Sequence, residues 1–183
     1  MGVIRNWIKG IAAEAINETQ PTVTINSSYT DATHAVNERL YDMLHPTVNV
    51  MLDDGAHMLV RAHFTDAGAD IRCVYSFEVP AHDSIVINTG IHVELPQNTV
   101  GMIKSKSGLN VRSCIVVEGV IDEGYDGAIL LRIYNHGDYS YHFEAGDKVT
   151  QLVVMPVVYP TYRECDKIQG GERGDGGFGS TGR

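Results

Sequence analysis

The chain has 183 residues, 43% of them hydrophobic and 20% charged, which suits one globular domain with a core of its own plus an extension. A formal net charge of −9 argues against sequence-independent binding to nucleic acid, but not against an anionic small molecule, because a few local cations and a metal ion can reverse the local potential. Cys73, Cys114 and Cys165 are odd in number and widely spaced, so neither a disulfide framework nor a cysteine zinc site is indicated, and a reducing cytoplasm is the expected setting.

The start, Met1-Gly2-Val3-Ile4-Arg5-Asn6, lacks the apolar run of a secretory signal, and position 6 lacks the Ser or Thr of a myristoylation pattern. No stretch is apolar and long enough to predict a membrane span. Ile4, Trp7, Ile8, Ile11, Ala15 and Ile16 recur at three- and four-residue steps, which predicts a helix over 3–16. Residues 17–29 are polar, contain Pro21 and read as a linker. A second helix is expected after Thr30, with Ala32, Ala35, Val36, Leu40, Met43 and Leu44 on one side and Pro46 as its stop.

From Thr47 onward, short runs rich in Val, Ile, Tyr and Thr alternate with Gly, Asn and Asp. The predicted strands are Thr47 to Leu52, Ile71 to Phe77, Ser84 to Asn88, Ile91 to Leu95, Val100 to Lys104, Ile115 to Ile121, Ala128 to Tyr134 and Val149 to Val158. Many short strands separated by turn signals, with no helix alternating, predict an all-β sandwich or barrel. The glycine-rich stretch from Gly170 to Arg183 cannot bury a core and is expected to be a mobile arm. The domain plan is therefore 1–45 as a helical extension, 46–169 as the β domain and 170–183 as the arm.

Five segments carry residues suited to chemistry. Ala67-Gly68-Ala69-Asp70-Ile71 delivers one carboxylate from a small-residue turn; alone, such an Asp most often caps its own backbone. Lys104-Ser105-Lys106-Ser107-Gly108-Leu109-Asn110 offers charge, hydroxyl donors and a glycine that lets backbone N–H groups approach an anion. Glu118 to Gly127 ends a strand in an acidic turn with one aromatic, and a firmly held Asp122 there could orient and deprotonate a water. Ala145-Gly146-Asp147-Lys148-Val149-Thr150-Gln151-Leu152 is a turn entering a strand, with Gln151 a candidate donor to phosphate. Arg173 to Gly182 contains a formal G-x-G-x-x-G, which fails as a dinucleotide fingerprint because no helix can follow it. Its lone Phe178 among glycines suits stacking on a base, worth about 1–3 kcal/mol.

Taken in this order, the five segments resemble the five motifs of the trimeric dUTPase family, over about Thr47 to Gly182. The resemblance implies a jelly-roll-like β domain of the β-clip type, a homotrimer with active sites between subunits, and Mg²⁺-dependent cleavage of dUTP to dUMP and pyrophosphate. It assigns Asp122 to activation of the attacking water and Tyr125 to the place beneath the deoxyribose. The hairpin holding Val116 to Gly119 is expected to read uracil through backbone groups. Lys106, Ser107, Gly108 and Gln151 match phosphate contacts, and Asp70 matches the first-motif acid near the hydrated metal. In the arm, Phe178 and Gly179 match the cover over uracil, with Arg173, Ser180 and Thr181 at the terminal phosphate.

Three positions depart from the family pattern. Lys106 and Lys148 stand where arginines are usual, and Val116 where many members carry asparagine. Residues 1–45 have no counterpart in the family core; their helices are expected to pack on the main domain or on each other, with contact to other subunits, a further partner or a membrane surface as the alternative. Two rival readings are a dCTP deaminase-like enzyme of similar architecture and a nucleotide-gated regulatory trimer.

Overall fold

The computed structural model describes residues 36–38, 40–41 and 45–171. The predicted 3–16 helix, the 17–29 linker and the glycine-rich stretch beyond residue 171 lie outside the described residues. Of the second predicted helix, residues 36–38 and 40–41 are helical. The His45 N–H donates to the Tyr41 carbonyl at 2.8 Å, and the two rings stack with centroids 4.2 Å apart just before Pro46.

Eleven strands and one short helix follow in the described residues: β1 (Asn49–Leu52), β2 (Ala69–Arg72), β3 (Phe77–Val79), β4 (Ser84–Asn88), β5 (Ile91–Glu94), β6 (Thr99–Ser105), α1 (Ser107–Ser113), β7 (Ile115–Val117), β8 (Gly119–Ile121), β9 (Leu130–Asn135), β10 (Tyr141–Phe143) and β11 (Lys148–Pro156). All their pairings are antiparallel. The sheets have the orders β2-β11-β6-β8, β4-β9-β7, β1-β5 and β3-β10. Strands β2, β3 and β4 pair with β11, β10 and β9 in turn, so the chain runs out and returns along itself. That nested pairing makes a jelly-roll-like domain, the all-β class expected from the sequence.

Strand β9 shows why these residues form sheet. Leu131, Ile133 and Asn135 are buried while Leu130, Arg132 and Tyr134 face out, the period-two alternation of a strand with one face on a core. The core gathers Ile71, Val79, Ile87, Ile91, Ile103, Ile115, Ile129, Ile133, Phe143 and Val149, all within 2% of full burial. Their β-branched and aromatic side chains suit the pleated surface.

Two predicted runs each span parts of two strands in different sheets. The Ile71 to Phe77 run breaks at residues 73–76, where β2 leaves β11 and β3 joins β10. The returning chain turns at the same corner: Cys73 N–H donates to the Asp147 carbonyl at 3.0 Å, Gly146 N–H to the Cys73 carbonyl at 2.8 Å, and the Ser76 hydroxyl to Glu144 at 2.9 Å. The Ile115 to Ile121 run breaks at exposed Glu118, so β7 pairs with β9 and β8 with β6. Hence Val116 to Gly119 is not a hairpin of its own; the tight turn lies at 122–125, closed by Tyr125 N–H on the Asp122 carbonyl at 3.1 Å. Both runs read as continuous because every strand in them contributes to one core, and apolar continuity cannot show a change of sheet.

Helix α1 has no counterpart among the predicted elements. It buries no side chain, and Ser, Gly and Asn are weak helix formers, so it has no apolar stripe to reveal it. It ends at Cys114, which takes the left-handed conformation at φ 54° usually left to glycine and hands the chain to β7.

Asn135 is the buried polar rivet of this fold. Its Nδ2 donates to the carbonyls of Val79 at 3.0 Å and Tyr139 at 2.9 Å, while its Oδ1 accepts from Gly137 N–H at 2.9 Å. Asn135→Ala is expected to lower unfolding stability by about 2–4 kcal/mol, measured by urea denaturation at fixed protein concentration, because it strands buried backbone groups.

Candidate active site

Asp70 sits on β2 with its side chain only 9% exposed, and two ammonium groups meet it. Lys106 Nζ bonds to one carboxylate oxygen at 2.5 Å and Lys148 Nζ to the other at 2.6 Å. The lysines come from the end of β6 and the start of β11, which lies between β2 and β6 in the same sheet. Burial acts to raise the Asp70 carboxyl's pKa and is the largest single influence. The bonds and charges of Lys106 and Lys148 together outweigh it and hold the carboxyl below its ordinary value. Two cations against one anion leave the cluster net positive, which suits an anionic ligand.

A β-bulge makes this convergence possible. Residues three apart on a regular strand face opposite sides, as Lys148 and Gln151 would. The ladder between β2 and β11 shifts register between Lys148 and Thr150. Val149 and Thr150 are consequently both buried, and Lys148 and Gln151 emerge on the same half-exposed face. Gln151 lies opposite Asp70 and Lys104 in the two ladders, and its Nε2 donates to the Ser105 carbonyl at 3.2 Å. Its carboxamide rests on Gly68: a Cβ there would collide with Oε1 and sit 3.0 Å from the Gln151 Cβ. The first and fourth segments are thus one packed unit. Ser107 and Gly108 open α1 beside Lys106, and the Arg112 guanidinium lies against Gly108, a nearby cation that sequence spacing gives no reason to single out.

Gly119, Asp122 and Tyr125 form a second group. Gly119 pairs with Ile103, and Ile121 with Gly101, on the far edge of the same sheet. Asp122 is exposed at the turn, and its carboxylate makes no hydrogen bond within the described residues. Tyr125 folds its ring over Gly127, so closely that a Cβ there would collide with the hydroxyl oxygen, and that hydroxyl donates to the Ala128 carbonyl at 3.0 Å. From β2 to β8 are three strand spacings, and from Lys104 to Gly101 three residues along β6. These steps place Ile121 roughly 17 Å from Asp70 in a flat sheet, beyond direct side-chain contact. The chain therefore brings Asp70, Lys106, Lys148, Gln151, Ser107 and Gly108 together at one end and holds Asp122 and Tyr125 apart from them. Arg173, Phe178, Gly179, Ser180 and Thr181 lie outside the described residues.

Asp70 is the lone carboxylate of its cluster, with both oxygens taken by lysines. No group of three or more His, Cys, Asp or Glu among the described residues is placed to hold a metal directly. A cluster with one carboxylate is compatible with a magnesium ion held mainly by phosphate oxygens and waters. Among the described residues no helix is long and apolar enough to cross a membrane.

Comparison with known proteins identifies the family. The dUTPase family model matches residues 54–182. The deoxyuridine 5'-triphosphate nucleotidohydrolase of Gloeothece citriformis is 38% identical over 134 residues, 72% of this chain and 92% of the relative. The dUTPase of Staphylococcus bacteriophage 80alpha, solved with dUPNHPP, superposes with a TM-score of 0.71 at 30% identity, covering 75% of this chain and 99% of that one. A mutant dUTPase from phage phi11 of S. aureus, whose structure reveals the coordination of a structural Mg(II) ion, gives a TM-score of 0.63 at 27% identity, covering 68% and 99%.

A carboxyl held below its ordinary value contributes stability that is whole above about pH 4 and is lost as pH falls through its folded-state value. Asp70→Asn is therefore expected to be less stable than the wild type at pH 7, with the gap closing below about pH 4. Denaturation curves of both proteins from about pH 2.5 to about pH 8 check this; a gap that persists unchanged into acid refutes the role given to the lysine-held charge.

Proposed function

The chain belongs to the dUTPase family, and from that premise we propose that it hydrolyses dUTP to dUMP and pyrophosphate with Mg²⁺, limiting uracil incorporation into DNA and supplying dUMP. The observation that carries the reading is the convergence of Lys106 and Lys148 on buried Asp70, a net positive cradle built from three separate segments before any ligand arrives. The dCTP deaminase reading loses its support, since the family match is to dUTPase over most of the chain.

In this mechanism the triphosphate lies along Lys106, Ser107, Gly108 and Gln151, with Asp70 at the edge of the phosphates. Each lysine can turn one N–H toward phosphate while keeping Asp70, since an ammonium has three donors. When bound, Mg²⁺ supplies charge neutralisation on the phosphate oxygens, and Asp70 orients its water shell. Asp122 holds a water by hydrogen bond, points it at the α-phosphorus in line with the departing pyrophosphate, and takes its proton. The Tyr125 ring, braced on Gly127, fills the space beneath the sugar where a 2′-hydroxyl would need to sit. Gly119 packs on Ile103 loosely enough that an added Cβ would make only ordinary contact, at 3.5 Å. Its bare backbone is thus not demanded by its own chain and suits close approach of a base. Backbone donors and acceptors of Val116 to Gly119 then discriminate uracil from cytosine, because the wrong base leaves buried groups unpaired. Phe178 and Gly179 cover the base, and Arg173, Ser180 and Thr181 meet the terminal phosphate as the arm closes and excludes water.

The separation of Asp122 from the Asp70 cluster supports sites shared between chains, as in a homotrimer: the carboxylate of one subunit works with the cradle of another. Mixed subunits provide the decisive experiment. Asp122→Asn and Asp70→Ala chains are each expected to lose at least about 100-fold in kcat. Denatured together in equal amounts and refolded, they should regain about a quarter of wild-type activity, because about one site in four then draws both intact groups from different chains. Near-normal turnover by Asp122→Asn refutes the base, and a mixture as inert as its components refutes shared sites.

A further inference from the structure

The turn that carries Asp122 and Tyr125 is exposed, so something must hold it still. Its first half is tied by Glu123, whose Oε2 accepts from the Asn98 N–H at 2.8 Å and from the Tyr159 hydroxyl at 2.6 Å. Among the described residues, its second half takes one hydrogen bond from another element. His92, on β5, donates from Nδ1 to the Asp126 carbonyl at 2.8 Å. The His92 side chain is 19% exposed, and its Nε2 lies 3.3 Å from Asp53 Oδ1, in the loop after β1.

Both ring nitrogens thus face oxygen acceptors. Only the imidazolium has two N–H groups to give; the neutral ring keeps the Asp126 bond by leaving a bare Nε2 against the Asp53 carboxylate. The charged groups around the ring are Asp53, Asp126 and Glu94, and Glu94 is engaged by Asn49 Nδ2 at 2.7 Å. Among the described residues, the hollow beside it, lined by Asn49, Met51, Glu94 and Asp126, carries no basic side chain other than His92. The bond to Asp126, opposed by burial and aided by Asp53, holds the imidazole above its ordinary value.

We infer that His92 is a positioning residue for hydrolysis: by gripping the Asp126 carbonyl, with Asp53 behind it, it sets the turn on which Asp122 and Tyr125 are aimed at substrate. The inference rests on the reading of Asp122 as the water-orienting base and adds a group that never touches the nucleotide. A shift of about 1 Å in a reacting group can cost about 10²-fold in rate, so loosening residues 124–128 affects kcat more than KM. The grip is complete while the ring is protonated and weakens as pH rises through the His92 pKa. Neutralising Asp53 lowers that pKa and brings the weakening to lower pH.

The test uses the full chain with dUTP and Mg²⁺. His92→Ala is expected to lose about tenfold in kcat with KM changed less than about threefold. His92→Asn, whose amide N–H sits near the lost Nδ1–H, should recover at least half of wild-type kcat. Backbone amide signals of Gly124 and Gly127 should move in the alanine variant while that of Gly101, in the centre of β6, stays. Asp53→Asn, which leaves the histidine in place, should move the high-pH decline of kcat toward lower pH. An alanine variant with wild-type kcat, an asparagine variant as slow as alanine, or an unmoved profile in Asp53→Asn overturns the inference. Asp122→Asn run alongside separates the two readings: if it turns over normally the base is wrong, whereas if it is inert and His92→Ala is normal, only the positioning role falls.

Discussion

A carboxylate as buried as that of Asp70 must be met by positive charge, and that requirement organises half of the site. Removing an ionised group from water costs several kcal/mol unless charge and hydrogen bonds replace the lost solvation. Here the replacement is supplied by two lysines from different strand ends, so the cluster exists only when β2, β11 and β6 are in register. A one-residue slip of β11 would turn Lys148 and Gln151 to the opposite face and leave Asp70 half-compensated. The same ladder seats the Gln151 carboxamide on Gly68. Register, charge compensation and ligand geometry are therefore one constraint, and the bulge between Lys148 and Thr150 is the local distortion that satisfies all three.

That dependence explains what the sequence could and could not reveal. The alternation in β9 and the β-branched runs of β4, β5 and β6 are local, and local periodicity shows them. The places where the chain changes sheet, at 73–76 and at Glu118, are set by where distant partner strands turn, and a continuous apolar run hides them. Helix α1 carries no buried face and therefore no pattern. The segments around Asp70, Lys106, Asp122 and Gln151 stood out because each holds unusual residue types at short spacing. The pairing of Lys106 and Lys148 across Asp70 did not, because a period-two reading of β11 puts Lys148 and Gln151 on opposite sides. His92 had no signal at all: one histidine in a strand acquires meaning only when Asp53 and the Asp126 carbonyl are found on either side of it.

The two halves of the site are held by different means. The Asp70 cluster is braced by ion pairs and packing across β2, β11 and β6 of the four-stranded sheet. The Asp122 turn stands on an edge, fastened by Glu123 to Asn98 and Tyr159, by Tyr125 to Ala128, and by His92 to Asp126. Its exposure at the turn leaves Asp122 open to a neighbouring chain. In the proposed trimer, that exposure is what lets one subunit's carboxylate meet another's phosphate cradle, and the fastenings keep its aim despite the exposure.

Lysine at both positions 106 and 148 changes how that cradle can work. An arginine pair would meet the carboxylate as flat forks, two parallel bonds each, and rotating a fork toward phosphate breaks both at once. An ammonium is a compact charge with three donors on a flexible stem, so it can add a phosphate contact while still bonding Asp70. The cost is direction: a point charge binds phosphate without fixing the plane of approach. Orientation must then come from groups with fixed geometry, namely the backbone at Ser107 and Gly108, the Gln151 carboxamide pinned over Gly68, and the Arg112 guanidinium against Gly108. In the proposed mechanism, charge and aim are thus divided between different residues, with the lysines drawing the anion in and the rigid donors around them deciding how it lies.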